Sequence, residues 1–333
     1  MLFSNDFFFD TVRFGRSRRT TGVCHMYKSA FLDGIPMFET ADEILRRKGA
    51  MAFERHALSW TWEGFRPSLV TYDVKRREVQ GLSAPFQPGQ ALDLTVSEAR
   101  RCVGSFGDAG YAPCMLRQVV SGQFDQCPIC ASTWIPVQAC IFEPTCDGVH
   151  TECKGGSICA REHHVYAAFY GDLIKVGMTL SSRFMERAVE QGADAIVKLG
   201  SYPNRLEARK AENALSKALH ATQWVRRTSF LRAQGARLDR EAYQERLDRL
   251  LSALAGVRVE PEAVQPLNEY PLAPFDPASV SFAEVAGRHH GEVLGCKGKW
   301  LFYRPRASEV LMLEMARVPS RFITLNLGNH NIS

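Results

Sequence analysis

The sequence predicts an α+β fold with three parts: a small β–β–α–β–α core, a Cys-rich module directly before it, and an antiparallel β region formed by both ends of the chain. Two observations carry this prediction. Eight of the ten cysteines lie between Cys102 and Cys159, and two strand-like apolar runs follow in HVYAAFYGDLIKVGMT, from His164 to Thr179. Hydrophobic residues make up 45% of the chain and charged residues 23%, which is typical of a globular protein that buries a core.

Changes in composition, with proline and glycine between them, divide the 333 residues into six segments. The helical segment is indicated by leucines near helical spacing in DREAYQERLDRLLSALA, and the linker by its prolines. The segments are an N-terminal extension at 1–50, an antiparallel β region at 51–101, the Cys-rich module at 102–163, the α/β core at 164–235, an amphipathic helix at 236–260, and a linker with a C-terminal β region at 261–333.

Both ends of the chain contain strand patterns. LSWTWEGF, SLVTYDV and GQALDLTV are aromatic, β-branched or alternately apolar and polar, and strands return in GEVLGCKGKWLFY, SEVLMLEMARV and RFITLNL. Trp60 and Trp62 share one strand face, which favours core or cross-strand packing over a base-stacking platform. We expect the two sets of strands to pair in one antiparallel unit.

The core segment alternates between strand and helix patterns. A tight turn at Gly171 joins its first two strands, and Gly192 ends its first helix. The predicted elements are strands at Val165–Phe169 and Ile174–Met178, a helix from Ser182 to Gln191, a strand at Ile196–Leu199 and a helix from Leu206 to His220.

Positive charge is concentrated around this core. The formal net charge of the chain is +5, and the segment from Ala160 to Arg240 alone holds 14 Lys and Arg against 8 Asp and Glu. A basic surface suits a phosphate-bearing partner, although an ordinary solvated helix face has a similar composition.

The sequence predicts no membrane partner. No apolar run approaches the roughly 18–20 residues that a membrane helix requires. Asp6 and Asp10 interrupt the apolar start of the chain, which therefore does not resemble a signal peptide. We expect a cytoplasmic protein, and in a reducing compartment clustered cysteines bind metal more often than they form disulfides.

The cysteine spacing predicts metal ligation. Cys127-Pro-Ile-Cys130 is a knuckle whose two thiolates reach one ion, and zinc favours four tetrahedral ligands that fold a loop-rich segment around it. We predict two structural Zn²⁺ sites, with buried free thiols or disulfides as the alternatives. The first set is Cys102, Cys114, Cys127 and Cys130, and the second is Cys140, Cys146, Cys153 and Cys159, in which His164, His163 or His150 can replace one cysteine.

The core resembles the GIY-YIG nuclease superfamily. Tyr166 in HVY corresponds to the tyrosine of the first motif, and the second motif is KVG, in which Lys175 stands where the family has a tyrosine. Arg187 and Glu212 lie on the two following helices. The resemblance implies phosphodiester hydrolysis, with Tyr166 near the nucleophilic water, Arg187 on the scissile phosphate and Glu212 on a metal ion, Mg²⁺ or Mn²⁺. A guanidinium fork matches phosphate oxygens, and a lone carboxylate suits Mg²⁺, which keeps most of its waters.

A longer stretch, from roughly Cys102 to Phe230, is similar to an uncharacterised bacterial and archaeal family known only as a domain of unknown function. CIFEPTC, HHVYAAF, IKVGMT, RAVEQGA, YPNRLEARKAEN and TQWVRR carry this resemblance. Members of that family join a Cys-rich segment to a GIY-YIG-like core, so the resemblance implies the same architecture here.

A set of basic residues with one aromatic residue predicts contacts with nucleic acid. Basic side chains hold a phosphate backbone, and an aromatic ring stacks on a base. The alternative for the aromatic residue, Trp224, is an ordinary core position. The set comprises Arg183, Arg205, Arg209, Lys217, Trp224, Arg226 and Arg227.

The leading hypothesis is therefore a zinc-containing, metal-dependent phosphodiesterase that acts on DNA or RNA through Tyr166, Lys175, Arg187 and Glu212. A second hypothesis is a nucleic-acid-binding protein without catalysis, which Lys175 in the second motif favours. A third is a GIY-YIG-like core redirected to nucleotide or RNA-linked biosynthetic chemistry. The sequence does not decide among them.

Overall fold

A computed structural model describes residues 54–107, 110–122, 124–131, 140, 143–148, 156–234, 239–252 and 259–326. The N-terminal extension predicted at 1–50 lies outside these ranges, and so does Cys153. Within them the protein is a mixed α+β structure made mostly of strands, which confirms the predicted fold class at this level.

The secondary-structure elements in these ranges are numbered here in chain order. The strands are β1 (Arg55–Glu63), β2 (Arg66–Asp73), β3 (Glu78–Leu82), β4 (Ala91–Arg100), β5 (Ser105–Gly107), β6 (Gly110–Ala112), β7 (His163–Tyr170), β8 (Leu173–Leu180), β9 (Ala195–Tyr202), β10 (Gln265–Pro266), β11 (Val280–Phe282), β12 (Gly287–Lys297), β13 (Trp300–Arg306), β14 (Glu309–Glu314) and β15 (Arg321–Leu325). The helices are α1 (Pro128–Ala131), α2 (Gly156–Cys159), α3 (Phe184–Gln191), α4 (Arg205–Ala218), α5 (Arg227–Ala233) and α6 (Arg240–Ser252). None of these helices is long and apolar enough to cross a membrane.

Strands from both ends of the described chain form one nine-stranded sheet. Their order is β11-β14-β13-β12-β4-β15-β1-β2-β3. β15 lies between β4 and β1, and β4 also pairs with β12, so N-terminal and C-terminal strands interleave. The pairs are antiparallel except for β11 with β14, which is parallel. The predicted pairing of the two chain ends is present.

A smaller sheet follows the predicted element order. From β7 to α4 the chain runs β–β–α–β–α, and its three strands join the short β10 in the order β10-β9-β7-β8. β10 lies in the segment predicted as a linker, where Val264 and Leu267 are buried against the smaller sheet and the main core, respectively.

The two faces of the smaller sheet pack in different directions, because β-strand side chains alternate between faces. Val165 and Phe169 of β7 face a cluster that contains Leu215 of α4. Tyr166 and Tyr170 point to the other face and belong to the buried cluster of the nine-stranded sheet. α3 lies on this second face and contacts β1 and β12 as well as β8.

A close backbone contact fixes α3 on the larger sheet. A Cβ at Gly298, in the turn between β12 and β13, would lie 2.5 Å from the backbone nitrogen of Gly192, the residue that caps α3. The indole N–H groups of Trp60 and Trp62 each donate to the Gly298 carbonyl oxygen at 2.9 Å. Both tryptophans therefore pack inside the structure, as predicted, and hold the turn that supports the end of α3.

A buried ion pair joins the same turn to the smaller sheet. The Lys297 ammonium donates to the Asp194 carboxylate and, at 2.9 Å, to the Gln234 side-chain oxygen. The second Asp194 oxygen accepts the Gly171 backbone N–H at 2.7 Å. Removing either charged partner would leave the other charge buried without compensation, which is strongly destabilising.

The contact at Gly298 yields a prediction on stability. Gly298→Ala should lower the free energy of unfolding by about 3 kcal/mol or more, because the new methyl group adds overlap with the α3 cap to the cost of a positive φ. Gly64→Ala is the matched control, since Gly64 has φ +55° against +58° at Gly298 but has no atom near its Cβ position. Gly64→Ala should lower the free energy of unfolding by only about 1–2 kcal/mol. Urea unfolding measures both values, and equal losses would contradict the close contact.

A second prediction concerns pH. His56 on β1 is buried against Phe322, and burial lowers the pKa of His56 from 6.5 to about 4. The unfolded chain therefore binds the proton of His56 more tightly than the folded chain does. The contribution of His56 to the free energy of unfolding is fully present above pH 6.5 and is lost as the pH falls toward 4.

From His56 alone, the free energy of unfolding should be about 2 kcal/mol lower at pH 5 than at pH 7.5. Urea titrations of the wild type and of His56→Gln at both pH values isolate this residue from other titrating groups. We expect a smaller pH dependence in His56→Gln. The same dependence in both proteins would show that His56 does not titrate as described.

Candidate functional site

Two strands present polar residues on one face of the smaller sheet. Tyr166 lies opposite Gly177 in the β7–β8 pair, and Lys175 lies two residues before Gly177 on the same face. The ring of Tyr166 covers Gly177, because a Cβ at that glycine would lie 2.7 Å from the tyrosine hydroxyl oxygen. The missing side chain at Gly177 gives the tyrosine room to lie across β8.

α3 brings two further polar side chains to this tyrosine. The Gln191 side-chain oxygen accepts from the Lys175 ammonium at 2.9 Å and from the Tyr166 hydroxyl at 3.3 Å. Arg187, one helical turn earlier, also hydrogen-bonds to Tyr166. Arg187 forms an ion pair with Glu190 at 3.5 Å, and its side chain is only 15% exposed.

Tyr166 is a neutral phenol in this setting. The residue is 1% exposed, and burial raises the pKa of its hydroxyl above the ordinary value of 10. The positive charge of Arg187 opposes this shift and the negative charge of Glu212 adds to it. The hydroxyl therefore keeps its proton near neutral pH and acts as a hydrogen-bond donor.

Glu212 lies on α4 and is buried in polar surroundings. Its carboxylate accepts from the Arg209 guanidinium at 2.7 Å, and the same arginine forms a 3.1 Å ion pair with Glu143 of the Cys-rich module. Burial raises the pKa of Glu212, while Arg209 and then Lys175 lower it. Glu212 interacts electrostatically with Lys175 and Tyr166, although the apolar side of α4 packs on the opposite face of the sheet. The polar cluster around Tyr166 therefore has Lys175, Arg187 and Gln191 in contact, and Glu212 is linked to it by electrostatic interaction.

Three of the basic residues predicted to bind nucleic acid contact protein groups. Arg183 pairs with Glu190 at 2.8 Å, and Arg209 bridges two glutamates as described above. Arg205 donates to the Cys140 carbonyl oxygen at 2.9 Å and lies 4.0 Å from the Cys159 sulfur. These contacts connect α3 and α4 to their neighbours.

The other members of the basic set lie at the surface. Lys217, Arg226 and Arg227 are exposed, and Arg227 lies over the Phe282 ring at 4.4 Å. Trp224 is 39% exposed, so its interpretation as a core residue is wrong. It stands in a short turn in which its backbone N–H donates to the Thr222 hydroxyl.

The first predicted cysteine set forms one cluster. The sulfur atoms of Cys102, Cys114, Cys127 and Cys130 all lie within 4.8 Å of one another. The β5–β6 hairpin connects the first two, and α1 follows the third and contains the fourth. Gly104 permits the tight hairpin, since a Cβ there would lie 2.3 Å from the Ala112 carbonyl oxygen.

The geometry of this cluster fits a tetrahedral metal ion. Sulfur atoms bound to zinc at about 2.3 Å lie about 3.8 Å apart, close to the 4.0 Å between Cys114 and Cys127. The Cys102 sulfur accepts the Cys127 backbone N–H at 3.1 Å and the Gly104 N–H at 3.4 Å, as a thiolate ligand does. Burial raises the pKa of the Cys102 thiol to about 11, so ionisation at neutral pH requires a cation.

The second predicted set is only partly described. Cys153 lies outside the described residues, and Cys140, Cys146 and Cys159 form no further metal-type cluster among those that the structure describes. His164 does not lie with the four-cysteine cluster: its Nδ1 lies 3.1 Å from the Ser201 hydroxyl and 3.3 Å from the Ser181 hydroxyl. A second ion therefore stays a prediction.

The contacts that Gln191, Glu143 and Arg209 make at the site were not predicted from the sequence. Gln191 stands four residues after Arg187 and thus on the same helix face, which is a signal that was available. Glu143 has no such signal, because only the fold brings it to Arg209. The pairing of Arg209 with Glu212 could have been read from their spacing of three residues on α4.

A family model described as "Protein of unknown function (DUF2797)" matches residues 89–315, which is more than half of the chain. This range contains the four-cysteine cluster and the polar cluster around Tyr166. No curated protein and no solved structure matches the chain.

The four-cysteine cluster yields a prediction on metal content. Cys130→Ser should lose about one bound metal ion per chain and lower the free energy of unfolding by several kcal/mol, because metal binding and folding of such a module are coupled. Elemental analysis after purification without chelator measures the content.

Cys296→Ala is the control, because Cys296 is a buried thiol remote from the cluster that donates to the Phe86 carbonyl oxygen. It should keep the full metal content. Equal metal content in the wild type and in Cys130→Ser would remove the cluster as a metal site.

Proposed function

The chain belongs to the family described as "Protein of unknown function (DUF2797)", and we propose that its core hydrolyses phosphodiester bonds of nucleic acid with Mg²⁺ or Mn²⁺. The polar cluster of Tyr166, Lys175, Arg187, Gln191 and Glu212 is the reaction site in this proposal. A zinc ion in the four-cysteine cluster has a structural role, because four thiolates leave no open position for a reacting group.

The observation that carries the proposal is the contact of the Tyr166 phenol and the Lys175 ammonium with the Gln191 side chain, beside the Arg187 guanidinium. The Glu212 carboxylate adds an electrostatic interaction with Tyr166 and Lys175. Arg187 pairs with Glu190 and Glu212 pairs with Arg209, so these charges also serve as structural ion pairs. A buried phenol beside cations on the same face of the sheet suits an anionic substrate that is also polar.

Arg187 and Lys175 are the phosphate-binding groups of the proposal. Both cations lie on the face of the sheet where Tyr166 covers Gly177. A guanidinium offers two parallel N–H donors to phosphate oxygens, and an ammonium adds a point charge. Phosphodiester hydrolysis depends mainly on such positioning and on stabilisation of negative charge in the transition state.

Tyr166 orients the attacking water. Its raised pKa makes it a poor base, so it positions the water by a hydrogen bond and does not remove the proton. Glu212 would hold the divalent ion, because a single carboxylate with phosphate oxygens and waters is a donor set that Mg²⁺ accepts. When bound there, such an ion would supply positive charge to the phosphate and acidify bound water.

A second candidate, nucleic-acid binding without hydrolysis, is favoured by one observation. Arg209 already holds the Glu212 carboxylate at 2.7 Å, and burial favours the neutral form of this acid. In that case Lys175 and Arg187 bind the phosphate backbone, and the glutamate only holds α4 in place.

A cleavage assay with matched variants separates the two candidates. Glu212→Gln should lower the rate of Mg²⁺- or Mn²⁺-dependent cleavage of single- and double-stranded DNA and RNA by at least about 100-fold. It should remain folded, because the amide keeps the shape and an acceptor oxygen for Arg209, whose charge is still paired with Glu143. Glu207→Gln on the same helix is the control, because Glu207 pairs only with exposed Lys210 in the described contacts, and it should cleave like the wild type.

Equal rates in Glu212→Gln and the wild type would remove Glu212 from the reaction. Binding that weakens with salt but is never followed by cleavage would establish the second candidate, because phosphate contacts release counterions. The absence of both binding and cleavage would reject both.

A further inference from the structure

A cavity of about 550 Å³ lies beside the polar cluster. It is formed where the start of β7, the end of β8 and the start of α3 meet β9 and the segment around β10. The volume is within the usual range for small-molecule sites, roughly 300–1,000 Å³. Its wall includes His164, Ser182, Phe184, Met185, Lys198 and Gln265.

Phe184 connects this cavity with the proposed reaction site. Its ring lies 6.2 Å from the ring of Tyr166 and 5.8 Å from that of His164, edge-on to both. Phe184 is also the first residue of α3, the helix that carries Arg187. A ligand group in the cavity would therefore lie next to a phosphate bound at Arg187.

The side chains that line the cavity suit a ligand group that is planar, uncharged and polar. Phe184 and Met185 form an apolar surface, while serine hydroxyls, His164 and the Gln265 amide offer both donors and acceptors.

The charges of the wall argue against a phosphate group in the cavity itself. Lys198 is the only basic residue among the wall positions described, and it is paired with Glu262. Glu186 adds a second carboxylate. The phosphate-binding charges lie instead at Arg187 and Lys175, outside the cavity.

We propose that this cavity binds one unpaired nucleobase of the substrate, next to the phosphate at Arg187. The base lies against Phe184 and Met185, and its polar edge meets Ser182, Gln265 and His164. The assignment rests on the proposed function, because it takes the phosphate-binding role of Arg187 as given. It implies that the protein acts on single-stranded or locally unpaired nucleic acid, since a base inside a duplex cannot enter such a site.

Nucleosides test the cavity without a phosphate. Adenosine, guanosine, cytidine and uridine are titrated into the full-length wild type, with binding followed by calorimetry or NMR. We expect saturable binding of at least one of them. Phe184→Leu keeps an apolar side chain but removes the aromatic face, and it should weaken that binding at least fivefold. Ser182→Trp should abolish it by filling the cavity, because Ser182 is exposed at the wall and its replacement needs no core space.

One control variant completes the test. Glu207→Gln, on an exposed part of α4, should bind nucleosides like the wild type. No nucleoside binding by the wild type, or equal binding by Ser182→Trp, would overturn the base site.

The outcomes distinguish this inference from the proposed function. Nucleoside binding that Ser182→Trp abolishes, in a protein that cleaves no nucleic acid, would support the base site and reject the hydrolase. Cleavage that Glu212→Gln abolishes, without any nucleoside binding, would support the hydrolase and reject the base site.

Discussion

The contact between Gly192 and Gly298 is the constraint on which the site depends. A side chain is disfavoured at both glycines, because a Cβ on Gly298 would meet the α3 backbone at 2.5 Å and a Cβ on Gly192 would lie 3.0 Å from the Phe230 ring and 3.2 Å from Gly298. The two tryptophan indoles hold the Gly298 carbonyl from the larger sheet. α3 is thereby fixed at the end that carries Gln191, and Gln191 positions both Tyr166 and Lys175.

The polar cluster is also connected to the Cys-rich module. Arg209 joins Glu212 to Glu143, and Arg205 donates to the Cys140 carbonyl oxygen, so α4 is held by the segment that contains the later cysteines. A small loop-rich module has little apolar surface to bury and depends on its ligands for folding. The segment with Cys140 and Glu143 helps to position α4, the helix that carries Glu212.

The sequence predicted the elements of the core well, because their signals are local. Apolar runs joined by the turn at Gly171 indicated β7 and β8, Gly192 indicated the end of α3, and the cysteine spacing indicated the four-cysteine cluster. Contacts between distant parts of the chain had no such signal. The packing of Gly298 on Gly192 follows from how the larger sheet meets α3. The bridge from Arg209 to Glu143 depends on where α4 lies against the Cys-rich module, and the exposure of Trp224 depends on the turn between α4 and α5.

The proposed function requires Glu212 and Arg187 to hold a divalent ion and a phosphate side by side. A crystal structure with Mn²⁺ and a short single-stranded oligonucleotide carrying a phosphorothioate linkage tests this, with manganese located by anomalous scattering. We expect a manganese peak at the Glu212 carboxylate and a backbone phosphate within hydrogen-bond distance of the Arg187 guanidinium. Manganese elsewhere, with Glu212 still paired to Arg209 and the phosphate on another surface, would contradict it.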